Sequence, residues 1–192
     1  MTTIPLTVLD NFFDNPDTLR DWGLSLEYKP DPDGRWPGKR SQQLDQIHPP
    51  LYNFISKKIL SLFFDSCDNL NYHIDLVFQL IENHQGSGWI HSDDDVFTFL
   101  IYLQKSDPNC GTTFWSLNKN QIHFFNNSQD IENSRSRNSY HLNKSPDIKA
   151  QEDFHRNFTK EISIPDKFNR LIAFSSEKFH SANNFNNNAS SR

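Results

Sequence analysis

Residues 89–103 read WIHSDDDVFTFLIYL, and this stretch predicts both the class of fold and the chemistry of the chain. Its second half, residues 96–103, is rich in aromatic and β-branched side chains, which favours a β-strand. In its first half, His91 and Asp93 are two residues apart, so an extended backbone places both side chains on the same side. An imidazole and a carboxylate directed to one point supply two of the three ligands of a common type of metal site.

Short segments of the same β type continue from residue 72 onward, separated by Gly, Asn, Asp and Pro. The predicted strands cover residues 74–81, 96–103, 111–115, 121–125, 159–164 and 170–174. The earlier patterns are helical, with one helix starting at Pro16 and a second near Pro49. Short, regularly punctuated strands predict an antiparallel sandwich or barrel. We expect one domain over residues 1–192, with N-terminal helical support over about 1–70 and a β core over about 72–192.

The composition indicates a packed, soluble domain. Of 192 residues, 35% are hydrophobic and 14% are aromatic, so intrinsic disorder is excluded. Cys67 and Cys110 are too few for a disulfide framework, which predicts free thiols in a reducing compartment. The sequence starts without a secretory signal pattern and has no apolar stretch of membrane-spanning length, which predicts a cytoplasmic protein without a membrane partner. The net charge of −5 disfavours nucleic acid as a partner.

The third ligand of the predicted metal site has to come from a facing strand, and His180 is the best candidate. It follows the apolar run at residues 171–174 almost directly. A set of two histidines and one carboxylate holds Fe(II) on one side and leaves positions open for an organic cosubstrate and O2. A His-x-Asp triplet alone is a weak signal, because so short a pattern occurs by chance. The order of strand, triplet, aromatic strand, turn at 107–111 and late histidine is more specific.

In these segments the sequence resembles the Fe(II)/2-oxoglutarate-dependent dioxygenases, in particular the prolyl-4-hydroxylase-like branch. The triplet at 91–93 matches the His-x-Asp of that family. Residues 99–104 (FLIYLQ) and 111–115 (GTTFW) are similar to its Tyr-Leu-Asn hairpin and Gly-Gly-Glu-Thr return strand, and 168–174 (FNRLIAF) to its Gly-Arg-Leu-x-x-Phe strand. The resemblance covers about residues 74–192. It implies a double-stranded β-helix core of the jelly-roll or cupin-like type, with Fe(II), 2-oxoglutarate and O2 as cofactor and cosubstrates.

The resemblance also implies roles for individual residues. His91, Asp93 and His180 are the implied metal ligands and catalytic residues. Tyr102 is an implied contact to 2-oxoglutarate, and Thr113 is a weaker candidate for the same pocket.

The anchor for the distal carboxylate of 2-oxoglutarate is less clearly indicated. The family has an Arg or Lys about ten residues past the last histidine, and the basic residue in that place here is Arg192. Because no strand follows it, either Arg192 is the anchor, or the closing strand is missing from this sequence, or another residue such as Arg170 serves instead. The chain also has Asn83 where the family usually places tyrosine.

The implied activity is hydroxylation of an unknown substrate, either a protein side chain or a small molecule. The carboxylate at Asp93 argues against halogenation, since related halogenases have a smaller residue there. Two alternatives are a non-catalytic binding module with this fold and a nucleic-acid demethylase. The demethylase would require the basic stretches at 35–40 and 135–156 to converge near the metal. The loop around Trp36 is an expected substrate wall, and the sequence leaves the oligomeric state open.

Overall fold

The computed structural model describes residues 4–32, 34, 36–82, 86–118 and 148–185. Within these ranges the protein is mainly β, with three small antiparallel sheets and few helices. The strands are β1 (Thr7–Leu9), β2 (Lys29–Pro30), β3 (Lys39–Arg40), β4 (Gln79–Leu80), β5 (Phe97–Tyr102), β6 (Gly111–Leu117), β7 (Phe158–Pro165), β8 (Arg170–Ser175) and β9 (Phe179–Ala182). The helices are α1 (Pro16–Leu24), α2 (Leu44–Ile47), α3 (Pro49–Leu60) and α4 (Ile148–His155).

Each sheet has three strands. Sheet I has the order β1-β8-β5, sheet II the order β2-β3-β4, and sheet III the order β7-β6-β9. In sheet I, Thr98 pairs with Phe174 and Tyr102 with Arg170. In sheet III, Phe114 pairs with His180. All of these pairings are antiparallel, so the prediction of a mainly β, antiparallel protein is confirmed at this level.

Sheet I is the middle layer of the protein, because its central strand β8 is buried on both faces. Leu171 and Ala173 pack with the helices, whereas Ile172 and Phe174 point the other way and pack with Phe114 of sheet III. Alternate residues of a strand face opposite sides, so one strand contributes to both clusters. The rings of Phe114 and Phe174 meet edge to face with centroids 4.8 Å apart. This contact joins sheets I and III, and the candidate site lies beside it.

The predicted helices are present. Helix α1 begins at Pro16 and α3 at Pro49, and proline is favourable at these first helical positions because its missing N–H would have no helical acceptor there. The imidazole of His48 caps α3 by accepting a hydrogen bond from the backbone N–H of Leu51 at 3.1 Å. Ile55 and Ile59 of α3 are buried together with Leu171 and Ala173 of β8. This cluster between sheet I and the helices is called the helix-side core.

Three sequence predictions need correction. The first 70 residues are more than helical support, because β1 pairs with β8, and β2 and β3 form a sheet with β4. The strand predicted at 74–81 is confined to Gln79–Leu80, although Ile74 and Leu76 are buried in the core. No strand or helix is predicted between the strands at 121–125 and 159–164, yet α4 lies at the C-terminal end of that stretch. The strand predicted at 121–125 lies outside the described residues.

Two further sequence predictions concern the cysteines and membrane-spanning segments. Cys67 and Cys110 are both free thiols. Across the part of the chain that the structure describes, no helix has the length and apolar character required to cross a bilayer.

Candidate metal centre

His91, Asp93 and His180 lie together at the edge of sheet III. His180 is in β9, and His91 forms an antiparallel bridge with it through two backbone hydrogen bonds of 2.9 and 2.8 Å. Directly opposed residues of an antiparallel pair project to the same face, and the two imidazole centroids are 4.3 Å apart. The N–H of Asp93 donates to the carbonyl of Ser176 at 2.8 Å, which turns its carboxylate toward both rings. The three side chains that the sequence predicts to meet do meet.

The spacing of the three groups suits an ion between them. Each offers one ligand atom, and these atoms all lie within 4.8 Å of one another. Oδ1 of Asp93 is 3.8 Å from Nε2 of His91, and Oδ2 is 3.6 Å from Nε2 of His180. Both separations exceed a normal hydrogen bond. Ligands bound at about 2.1 Å to one ion lie about 3.0–3.4 Å apart, so small side-chain rotations would complete the group. The group could therefore hold a metal ion.

The backbone sets the tautomer of both imidazoles. Nδ1 of His91 lies 2.8 Å from the carbonyl oxygen of Trp89, and Nδ1 of His180 lies 2.9 Å from that of Lys178. A carbonyl oxygen can only accept, so each Nδ1 carries a hydrogen and donates it. In the neutral ring Nε2 is then an acceptor, and both Nε2 atoms are directed at Asp93. Two ring nitrogens and a carboxylate that all present lone pairs to one point favour a cation there.

A hydroxyl pair orients the carboxylate. Oγ1 of Thr98 donates to Oδ2 of Asp93 at 2.6 Å, and Oγ of the fully buried Ser176 lies 2.8 Å from the same Thr98 oxygen. The sequence analysis did not identify Thr98 as a site residue. A signal was present, because Thr98 is the one polar residue between positions 96 and 101 of a strand that is otherwise apolar.

Replacing Thr98 with valine tests this orienting role. Valine keeps the side-chain shape and removes the hydroxyl, so we expect the affinity for Mn(II) to fall by about 10- to 100-fold, as for other hydrogen-bond partners of metal ligands. Isothermal titration calorimetry measures the change. Thr159→Val, which removes an exposed hydroxyl from β7, is the matched control and should leave the affinity unchanged. Equal affinities of Thr98→Val and the wild type would contradict the orienting role.

The centre has one closed side and one open side. His180 is only 6% exposed, and its ring packs edge-on against Phe174 with centroids 4.7 Å apart. The side chains of His91 and Asp93 are 33% and 27% exposed. The aromatic wall excludes water behind His180, while the other two groups are accessible to a ligand arriving from solvent.

Tyr102 lies between sheets I and III, where it packs with the cluster that contains Phe114 and Phe174. Its hydroxyl is 2.7 Å from Oγ1 of Thr112. Burial raises the pKa of Tyr102 to about 12, so the phenol keeps its proton at neutral pH. The two hydroxyls form a polar position in an otherwise apolar layer.

Thr113 is not in this layer, which corrects the sequence prediction. Its hydroxyl points to the outer face of sheet III, where it bonds to Oγ of Ser163 at 2.7 Å and to the side chain of Asn183. Because side chains alternate along β6, the residue on the same face as His180 is Thr112. Thr112 and Thr113 are adjacent in the sequence, so a shift of one residue in the strand register would exchange the threonine that faces the inside of the fold for the one that faces outward.

The guanidinium of Arg170 already binds other groups of the protein. Its Nε and Nη2 bind the Asp10 carboxylate at 2.6 and 3.2 Å, and its Nη1 donates to the carbonyl of Pro165 at 2.8 Å. This guanidinium, together with Lys167, holds the pKa of the Asp10 carboxyl well below its usual range. The interpretation of Arg170 as the cosubstrate anchor is therefore not supported. Arg192 and Asn83 lie outside the described residues, as does most of the basic segment 135–156.

A cavity of about 240 Å³ lies on the outer face of sheet III, behind the metal centre. Thr113, Trp115, His155 and Lys160 are among its lining residues, and no member of the triad is. Nε2 of His155 accepts a hydrogen bond from the backbone N–H of Ile90 at 3.2 Å. This bond ties α4 to the segment that carries His91. Burial lowers the pKa of His155 to about 4.

The low pKa of His155 predicts a pH-dependent loss of stability. Its pKa is about 4 in the folded protein and near the ordinary 6.5 in the unfolded chain. Between these values the unfolded chain binds more protons, so the free energy of unfolding falls as the pH drops from about 6.5 to 4, by at most about 1.4 kcal/mol per pH unit. Urea denaturation of metal-free protein at pH 7 and 5 should show a smaller pH dependence in His155→Gln. The control is His73→Gln, which replaces an exposed histidine and should keep the pH dependence of the wild type. If His155→Gln also kept that pH dependence, the prediction would be wrong.

Comparison with known proteins gives a family assignment. A family model matches residues 1–191, and it describes a family of unknown function, DUF6445. No curated protein and no solved structure matches the chain. Because the match runs over nearly all of the 192 residues, the chain belongs to the DUF6445 family.

Proposed function

We propose that this protein is an Fe(II)- and 2-oxoglutarate-dependent oxygenase that hydroxylates a protein side chain or a small molecule. The observation that carries the proposal is the convergence of two Nε2 acceptors and one carboxylate at His91, Asp93 and His180. Two histidines and one carboxylate on one side of an ion are typical of non-haem Fe(II) oxygenases, which use the remaining positions for cosubstrate and O2. The exposure of His91 and Asp93 supplies such an open side.

The path of the chain supports a double-stranded β-helix core. His91 joins the edge of sheet III, β5 lies in sheet I, β6 and β7 lie in sheet III, β8 returns to sheet I, and β9 returns to sheet III. A chain that passes repeatedly between two facing antiparallel sheets is typical of jelly-roll proteins. In such a core the ligands from residues 91–93 and from β9 reach the same end of the space between the sheets.

The residues around the centre have distinct roles in this proposal. His91, Asp93 and His180 hold the ion, and Thr98 keeps the carboxylate turned toward it. When bound, ferrous iron would supply O2 activation coupled to the oxidation of 2-oxoglutarate. Phe174 keeps water from the closed side. The Tyr102 hydroxyl, with Thr112 beside it, would donate a hydrogen bond to a carboxylate of the cosubstrate.

The test is Fe(II)-dependent conversion of 2-oxoglutarate to succinate by the full chain, together with calorimetric binding of 2-oxoglutarate to the Mn(II)-loaded protein. We expect Thr112→Val to weaken 2-oxoglutarate binding by about tenfold and Thr113→Val, the adjacent residue on the opposite face, to leave it unchanged. Binding without turnover would favour the non-catalytic binding module instead. A protein that binds neither metal nor 2-oxoglutarate would overturn the proposal.

A further inference from the structure

Arg40, in β3, has a guanidinium held in one orientation. Its carbon Cζ lies 4.0 Å from the ring centroid of Trp36, which is a cation–π contact. Its Nε donates to Oε1 of Gln79 at 3.2 Å, and Nε2 of Gln79 in turn donates to the carbonyl of Pro37 at 2.8 Å. Within the described residues its two terminal Nη nitrogens make no hydrogen bond. These are the nitrogens that bind a carboxylate as a planar fork.

This guanidinium is on the face of sheet II that points away from the helix-side core. Leu76 and Phe78 belong to the helix-side core, so the next alternate residue, Gln79, and its register partner Arg40 face the other way. Arg40 interacts electrostatically with the carboxylates of Asp93, Asp31 and Asp75. Burial lowers the pKa of Arg40 and these carboxylates oppose that effect, and an arginine remains charged in either case.

The balance of charge favours a singly charged anion. A divalent ion on Asp93 leaves the centre with one net positive charge, and Asp31 offsets the charge of Arg40. Asp75 is exposed and accepts hydrogen bonds from Gln43 and His73, so solvent screens it. Because 2-oxoglutarate brings two more negative charges to the metal, a second ligand with a single negative charge is favoured over one with two. A carboxylate therefore fits the fork of Arg40 better than a doubly charged phosphate, which Asp31 would also repel.

This position differs from the one that we assign to 2-oxoglutarate. The charges of Asp166 and Arg170 influence Tyr102, whereas those of Asp93, Asp31 and Asp75 influence Arg40. We therefore assign the carboxylate at Arg40 to a second organic ligand.

We propose that Arg40 determines substrate specificity by binding a carboxylate of the primary substrate at the open side of the metal centre. This inference rests on the proposed oxygenase function and adds the class of substrate to it. Trp36 and Gln79 are positioning residues, since they hold the guanidinium plane.

Benzoate is the probe, and benzamide is its neutral counterpart. The indole N–H signal of Trp36 in ¹H–¹⁵N spectra of the Zn(II)-loaded full chain reports binding. We expect saturable shifts with benzoate and none with benzamide. Arg40→Gln should weaken benzoate binding by at least about tenfold, and Arg40→Lys, which keeps the charge without the fork, by less. Lys39→Gln, at the neighbouring basic residue on the opposite face of β3, is the matched control and should have no effect.

Two further arms separate the alternatives. Calorimetry of 2-oxoglutarate with Mn(II)-loaded Arg40→Gln should give the wild-type affinity, and a tenfold loss would overturn the inference by making Arg40 a cosubstrate anchor. Asp93→Asn removes one negative charge near Arg40 and needs no metal, so benzoate should bind to metal-free Asp93→Asn and lose at least about tenfold in affinity in the double variant with Arg40→Gln. This arm tests Arg40 even if the wild type binds no metal, an outcome that would contradict only the oxygenase function. Equal benzoate binding with and without Arg40 would overturn the inference.

Discussion

Replacing Asp93 with alanine is expected to lower the affinity for Mn(II) or Fe(II) by more than about 100-fold and to abolish the proposed turnover of 2-oxoglutarate. The substitution removes one of three ligand atoms and the only negative charge of the triad. It leaves only the two imidazoles as ligands, and the loss of a ligand has a larger effect than the loss of an outer hydrogen-bond partner. Anaerobic calorimetry with Fe(II), repeated in air with Mn(II), measures the change.

Asp94→Ala is the control for this prediction, because it removes an adjacent carboxylate from the same acidic run. Asp94 is exposed and is not part of the triad. We expect its metal affinity to stay within about twofold of the wild type. If both variants lost metal equally, the acidic run as a whole would attract cations and the triad would not be a specific site.

The second large effect is expected from Phe174→Ala, which should lower the free energy of unfolding by about 3–5 kcal/mol. Phe174 is 1% exposed and fills the space between sheets I and III, with its ring against Phe114 and His180. Truncation leaves a cavity that the rigid strands on both sides cannot close. Urea denaturation of the metal-free protein isolates this effect from metal binding.

A second phenylalanine provides the comparison. Phe54, in α3, is 52% exposed, so Phe54→Ala should cost about 1 kcal/mol or less. Phe174→Ala should also weaken metal binding, since the ring of His180 loses its packing partner, whereas Phe54→Ala should not. Similar losses of stability in the two variants would show that the cluster around Phe114 and Phe174, between sheets I and III, is not the centre of the core.

The triad could be predicted because its signals are local. Two-residue spacing puts His91 and Asp93 on one side of any extended backbone, and the apolar run before His180 marks it as strand-borne. The same periodicity identified β5, β6, β7 and β8, with boundaries close to those of the structure. These properties depend on neighbouring residues, so they are visible without any knowledge of what packs across the fold.

The inward-facing threonine and the partners of the arginines could not be predicted in this way. Whether Thr112 or Thr113 faces the centre depends on the register of β6 against β9, and a slip of one residue reverses it. Arg170 binds the carboxylate of Asp10, which is 160 residues away in the sequence. Arg40 interacts electrostatically with Asp93 because the pairing of β3 with β4 brings it close enough. The residue types and the strand pattern are thus readable from the chain, whereas the pairing of charges follows from long-range strand register, because a guanidinium binds whichever carboxylate the completed sheet places within reach.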